Sequence, residues 1–170
     1  IEITMNTAGA AEQISRLIRL YGEKLLIGAG TVSTPERARE ALAAGAQFLV
    51  TPNLDLDVLD LAATHPCPVV PGVLTPTEMM TAVKAGAAAL KLFPAGQMGT
   101  AYVRDVLSPL DDLNIVAVGG VTAETAGDWI RAGCIGVGLG SSLIDKSLLR
   151  DRQYTEIKRQ TRLLIERLTR

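Results

Sequence analysis

Aromatic side chains are scarce in this chain, with one Trp, three Tyr and two Phe among 170 residues. Ala and Gly are plentiful instead, and that balance fits an α/β protein whose helices pack tightly on strands. Charge of one sign is lacking too: 17 basic and 18 acidic residues nearly cancel. Neither a basic surface for nucleic acid nor a polybasic membrane patch is expected. No apolar run approaches the roughly 20 residues that span a bilayer. No charged-then-apolar leader is visible either, so no secretory signal is read, and the cytoplasmic location expected here rests on the cysteines. Cysteine is limited to Cys67 and Cys134, far apart in apolar segments. Buried free thiols, suited to a reducing compartment, are the expectation for both. The single histidine, His65, precedes Pro66 in a connection. With one imidazole and scattered carboxylates, neither a metal nor another cofactor is expected. Asp55, Asp57 and Asp60 lack the glycine and terminal Glu of a calcium loop, and read as the start and solvated face of a helix.

What the chain does have is alternation. Strand-like runs occur at Ile1–Met5, Leu25–Ala29, Gln47–Thr51, Pro68–Val70, Ala88–Phe93, Ile115–Val118 and Ile135–Leu139. Helical patterns fall between them at Glu12–Tyr21, Pro35–Ala44, Asp55–Thr64, Pro76–Ala85, Ala101–Leu107 and Ala123–Ala132, with a last one over Tyr154–Leu168. Regular alternation predicts parallel βαβ units. A weak repeat agrees: Ala44-Gly45-Ala46, Ala85-Gly86-Ala87 and Ala132-Gly133-Cys134 each sit where a left-handed glycine ends a helix before a strand. Ser33-Thr34-Pro35-Glu36, Thr75-Pro76-Thr77-Glu78 and Thr122-Ala123-Glu124 carry helix-start chemistry. No linker divides residues 1–170, so one domain is expected. Its fold class is α/β, a (β/α)8 TIM barrel lacking its first strand and helix, since seven strands are visible and a segment of roughly 40 residues would complete the count. An open doubly wound sheet is the alternative.

The unusual motifs fall where strands end: Gly28-Ala29-Gly30-Thr31, Thr51-Pro52-Asn53, Pro71-Gly72, Lys91-Leu92-Phe93-Pro94, Gly119-Gly120 and Gly140-Ser141-Ser142. In a parallel barrel these ends gather on one face, where active sites form. Lys91 lies within an apolar strand, and alternation puts Ala89, Lys91 and Phe93 on one face and Leu90 and Leu92 on the other. A desolvated lysine has a lowered pKa and supplies free amine to attack a carbonyl. A structural lysine snorkelling to the strand end is the alternative. Glu2 is the only acid within a predicted strand, placed to pair with Lys91 or move protons for it, unless it is a solvated terminal charge. Gly119-Gly120 and Gly140-Ser141 would offer backbone N–H groups, the Ser141 hydroxyl and a following helix start to a phosphate, although such pairs also occur in plain turns.

The motifs Glu2-Ile3-Thr4-Met5-Asn6, Gly28-Ala29-Gly30-Thr31-Val32, Val50-Thr51-Pro52-Asn53, Pro71-Gly72, Leu90-Lys91-Leu92-Phe93-Pro94, Val118-Gly119-Gly120-Val121 and Gly138-Leu139-Gly140-Ser141 together resemble the KDPG/KHG aldolases. Those enzymes cleave 2-keto-3-deoxy-6-phospho sugar acids to pyruvate and glyceraldehyde 3-phosphate. The resemblance implies that Lys91 is the Schiff-base lysine and Glu2 the general acid/base. It implies that Thr31 and Pro52 line the pyruvyl end, that Phe93 walls the lysine, and that Gly119, Gly120, Gly140 and Ser141 cradle the phosphate. It also implies a homotrimer without a metal. Asn6 and Val118 stand where the gluconate branch has Arg and Thr, and so resemble the 6-phosphogalactonate branch. The chain begins at what resembles the family's second strand. Two rivals remain open, a phosphate-binding barrel isomerase without imine chemistry and a non-enzymatic binding module. A metal-dependent aldolase is a weaker choice.

Overall fold

The computed structural model describes residues 1–168. In chain order the elements are β1 (Glu2–Thr4), α1 (Ala10–Tyr21), β2 (Gly28–Gly30), α2 (Pro35–Ala43), β3 (Leu49–Val50), α3 (Leu56–Ala63), β4 (Val69–Val70), β5 (Gly72–Val73), α4 (Pro76–Lys84), β6 (Leu90–Leu92), α5 (Ala95–Leu107), β7 (Ile115–Val118), α6 (Ala126–Arg131), β8 (Gly136–Gly138), α7 (Lys146–Arg150) and α8 (Tyr154–Leu168). The expected alternation is present, and the pairs β1–β2, β2–β3, β3–β4 and β7–β8 are parallel. The strands form two four-stranded sheets, ordered β1-β2-β3-β4 and β5-β6-β7-β8, rather than the closed ring of a complete barrel. The chain groups into two compact units, Ile1–Lys91 and Leu92–Arg170.

In the first unit the helices close on the strands through small side chains. Ala38 and Ala41 of α2, Ala62 of α3 and Ala82 of α4 are buried where a larger residue would hold the layers apart. Ile14, Ile27, Leu49 and Val58 supply the bulk, each contributing about 1.5–3 kcal/mol by leaving water. Helix starts follow the expected chemistry at α2 and α4, whereas α6 begins at Ala126, later than expected, because Thr122 closes a separate turn by accepting from the Thr125 N–H at 3.3 Å. The Thr34 hydroxyl accepts from the Arg37 N–H, Asp55 accepts from Val58, and Thr75 with Glu78 forms a reciprocal capping box. Gly45 and Gly86 end their helices with φ of 89° and 85°, as the repeat predicts. One strand is displaced from expectation. Leu25 and Leu26 are exposed, and β2 begins only at Gly28, because the Ile27 N–H is taken by the Gln47 side chain before the ladder starts.

The second unit is built on the β7–β8 pair, in which Val116, Ala117 and Val118 lie opposite Gly136, Val137 and Gly138. Trp129 of α6, Val103 and Val106 of α5 and Leu164 of α8 are buried in it. Helix α5 begins at Ala95, earlier than the pattern predicts, and Gly99 interrupts it with a non-helical φ of 77°. The helix absorbs Gly99 in a kink. Helix α7 is a further element that the periodicity did not reveal. Cys67 and Cys134 are buried free thiols, as expected.

Strands β4 and β5 are one extended run divided at Pro71. On one side Leu49 and Thr51 donate to the carbonyls of Pro68 and Val70, and on the other Ala88 and Lys91 donate to those of Val69 and Pro71. Proline has no N–H, so the ladder cannot continue through it. The Thr51 side chain takes over: its hydroxyl accepts from the Gly72 N–H at 3.2 Å and donates to the Asn53 carbonyl at 2.6 Å. Gly72 also lies so close to the Pro52 carbonyl that a Cβ there would sit 2.3 Å from it. Thr51→Val keeps the shape but strands the buried Gly72 N–H and frees the exposed Asn53 carbonyl, at a cost of about 1–3 kcal/mol. Urea unfolding should show this as a lower midpoint. An unchanged midpoint would mean that the hydroxyl bridge contributes nothing.

Candidate active site

Lys91 lies in β6 with 7% of its surface exposed, flanked by Leu90 at 1% and Leu92 at 0%. Among the described residues it is the one charged side chain in the buried set. Its backbone N–H donates to the Pro71 carbonyl at 2.8 Å, which fixes the strand and hence the origin of the side chain. Burial pushes the Lys91 amine below the ordinary lysine value, and the Glu2 carboxylate partly opposes this by favouring the ammonium. Burial likewise raises the Glu2 carboxyl, opposed by the Lys91 charge. The two groups are therefore electrostatic neighbours, each moved toward its neutral form by desolvation.

Glu2 is exposed as a residue, yet its carboxylate is not in open water. Glu2 pairs with Gly28, and its side chain reaches along β2 to Gly30, where a Cβ would lie 2.6 Å from Oε2. The missing side chain at Gly30 makes room for the carboxylate. The same face of β2 is vacant at Gly28, where the Phe48 ring fills the place of a Cβ. The glycines of Gly28-Ala29-Gly30 thus serve side chains laid across them.

Thr31 follows directly with φ 54°, a left-handed conformation rare for a β-branched residue. Its carbonyl accepts from Arg37 Nη1 at 3.3 Å, and its own hydroxyl meets no hydrogen-bond partner among the described residues. Pro52 lies in the turn that Thr51 stabilises, backed by Gly72. Asn6 is exposed in a turn closed by a Thr7 N–H to Thr4 carbonyl bond of 2.9 Å and by the Thr4 and Thr7 hydroxyls at 2.8 Å.

In the second unit the Phe93 ring rests on Gly119, where a Cβ would come within 3.0 Å of it. Gly119 and Gly120 both have positive φ, 84° and 78°, which L side chains rarely adopt. The Gly119 carbonyl accepts from the Gly96 N–H at 2.7 Å. Gly140 opens a turn in which its carbonyl accepts from Leu143 and Ile144, each at 3.0 Å. Ser141 is exposed, with no hydroxyl partner among the described residues. The neighbouring Ser142 donates to the Val121 carbonyl at 2.7 Å and so ties the turn after β8 to the one after β7. The start of α7 offers little to an anion, because Asp145 already caps it. Thr51 and Ser142 stand in the strand-end motifs and Arg37 in a helix pattern, but the sequence assigns none of their side chains a task. Each acts through a backbone carbonyl or amide at a distance that spacing does not reveal.

A family model described as "Aldolase: KDPG and KHG aldolase" matches residues 1–160. The 2-dehydro-3-deoxy-6-phosphogalactonate aldolase of Escherichia coli K12 is 43% identical over 144 residues, which are 84% of this chain and 70% of that protein. A solved structure described as "Native KDPGal structure" superposes with a TM-score of 0.88 at 38% identity, covering 99% of this chain and 82% of the other. A KDPG aldolase from Legionella pneumophila, solved with pyruvate captured as a covalent carbinolamine, matches with a TM-score of 0.84 at 25% identity, covering 97% and 79%.

The Glu2–Lys91 pair has a signed consequence. Glu2→Gln removes the carboxylate that favours the ammonium, so the amine should titrate at a still lower pH. Competitive acylation of Lys91 across pH, read by peptide mass mapping, measures the midpoint. An upward or absent shift would show that the two groups do not interact.

Proposed function

Because the chain belongs to the KDPG and KHG aldolase family of carbon–carbon lyases, we propose that it cleaves 2-dehydro-3-deoxy-6-phosphogalactonate through an imine on Lys91. The observation that carries this reading is a lysine buried in an apolar strand, its pKa lowered, beside a carboxyl whose pKa is raised. A lysine and a carboxyl whose neutral forms are favoured by burial are suited to nucleophilic attack and proton transfer. The covalent pyruvate adduct of the Legionella relative supports the same chemistry.

The neutral Lys91 amine adds to the C2 carbonyl, and the carbinolamine loses water to give a protonated imine. Glu2 takes the proton of the C4 hydroxyl. The C3–C4 bond breaks, its electrons pass into the imine, and glyceraldehyde 3-phosphate leaves. Glu2 returns the proton to C3 of the enamine, and water releases pyruvate and the free amine. Thr31, Pro52 and Phe93 line the pyruvyl end, Asn6 contacts the sugar portion, and the amides at Gly119, Gly120 and Gly140 with the Ser141 hydroxyl hold the phosphate. Remote phosphate binding spends its energy on placing the reacting carbon. The reading includes a homotrimer in the cytoplasm and no metal. Asn6 and Val118 favour the galactonate substrate. A preference for 2-dehydro-3-deoxy-6-phosphogluconate or 4-hydroxy-2-oxoglutarate is the second reading, since the family name covers both.

Borohydride reduction in the presence of pyruvate, followed by peptide mapping, should place a stable adduct on the Lys91 peptide. Lys91→Met should fold, because an unbranched apolar side chain of similar length suits the apolar strand, and should lose the adduct and at least about three orders of magnitude in cleavage rate. Turnover retained in that variant would sink the assignment. Cleavage should also persist in excess chelator, and its loss would point to a metal-dependent aldolase.

A further inference from the structure

We propose that Arg37 is a positioning residue for this reaction: it holds the turn after β2 in the left-handed conformation from which Thr31 offers its hydroxyl to the pyruvyl end of the substrate. The inference rests on the imine reading above and on Thr31 lining that end.

Thr31 is one of two non-glycine residues with positive φ among those described, and the only β-branched one. Such a conformation persists only where its surroundings impose it. Ladder bonds fix the chain on both sides: the Gly30 carbonyl accepts from Met5 at 2.8 Å, and the Val32 N–H donates to Val50 at 3.1 Å. The Thr31 carbonyl between them is held by Arg37 Nη1 at 3.3 Å, and the same nitrogen donates to Ser33 Oγ at 2.8 Å. One guanidinium therefore clasps the turn at two points.

Helix stability does not account for the residue. Arg37 lies in the first turn of α2, where the positive end of the helix dipole disfavours a cation. It is half-buried, and among the described residues it makes no ion pair with a carboxylate. Its side-chain bonds run backward to the strained turn. Thr31, meanwhile, keeps a hydroxyl with no partner among the described residues, immediately after the Gly30 on which the Glu2 carboxylate lies.

The test uses the full chain, with pyruvate and borohydride as the probe and the rate of Lys91 adduct formation as the readout. Arg37→Met should slow trapping by about tenfold without lowering the thermal midpoint in proportion. Arg37→Lys, which keeps a cationic donor, should recover part of the rate. Glycine takes positive φ without strain, so in a Thr31→Gly background Arg37→Met should slow trapping less than twofold further. Should Arg37→Met fail to fold, Arg37→Gln, which is shorter, serves in the same comparison. An undiminished penalty in the Thr31→Gly background, or no penalty in the wild-type background, would overturn the proposal. A wild-type trapping rate in Thr31→Gly alone would overturn it through its premise while leaving the imine intact. Absence of any adduct in the unaltered protein would be the separate failure of the imine reading.

Discussion

A charged side chain held inside an apolar strand is the constraint on which the first unit is arranged. Lys91 sits between two leucines that are almost wholly inaccessible. An ammonium there is costly unless it is paired or gives up its proton, and both remedies are built in. Desolvation favours the free amine, while Glu2 limits how far that shift proceeds. Glu2 can reach its position because Gly30, two residues beyond its own partner in the ladder, has no side chain to obstruct it. The reactive pair is thus a property of parallel register as much as of the residues themselves.

The same unit shows how a site can be made from an interrupted ladder. Pro71 withholds one donor, and the Thr51 hydroxyl closes the gap with two bonds of its own. That repair fixes the Pro52–Asn53 turn and the strand that bonds to the Lys91 backbone. Regular pairing would have given a stiffer sheet but no turn at that place. The irregularity converts backbone hydrogen bonding into local shape.

Much of this was legible in the sequence. The element order, the capping residues at Thr34 and Thr75, the left-handed glycines at 45, 86 and 133 and the burial of Lys91 all follow from local rules. These features depend on neighbours a few residues away. What was not legible depends on partners far along the chain. The late start of β2 follows from Gln47 capturing the Ile27 N–H, and the division of the sheets follows from Pro71 meeting Thr51. The kink at Gly99 and the short α7 carry too weak a periodicity to announce themselves. In the site, motif residues were found by their oddity within apolar runs. Arg37 and Ser142 look like ordinary surface residues until their acceptors are known.

Gly96 and Gly120 approach so closely that a Cβ built on either would lie within about 3 Å of the other's Cα. Each glycine is therefore the other's tolerance limit. A mutation at one position cannot be compensated at its partner, because the partner has nothing smaller to become. Drift along this part of the chain must leave both sites fixed and spend itself on neighbours such as Gln97, which remains exposed. The contact acts as a historical lock on the kinked start of α5 and on the turn after β7.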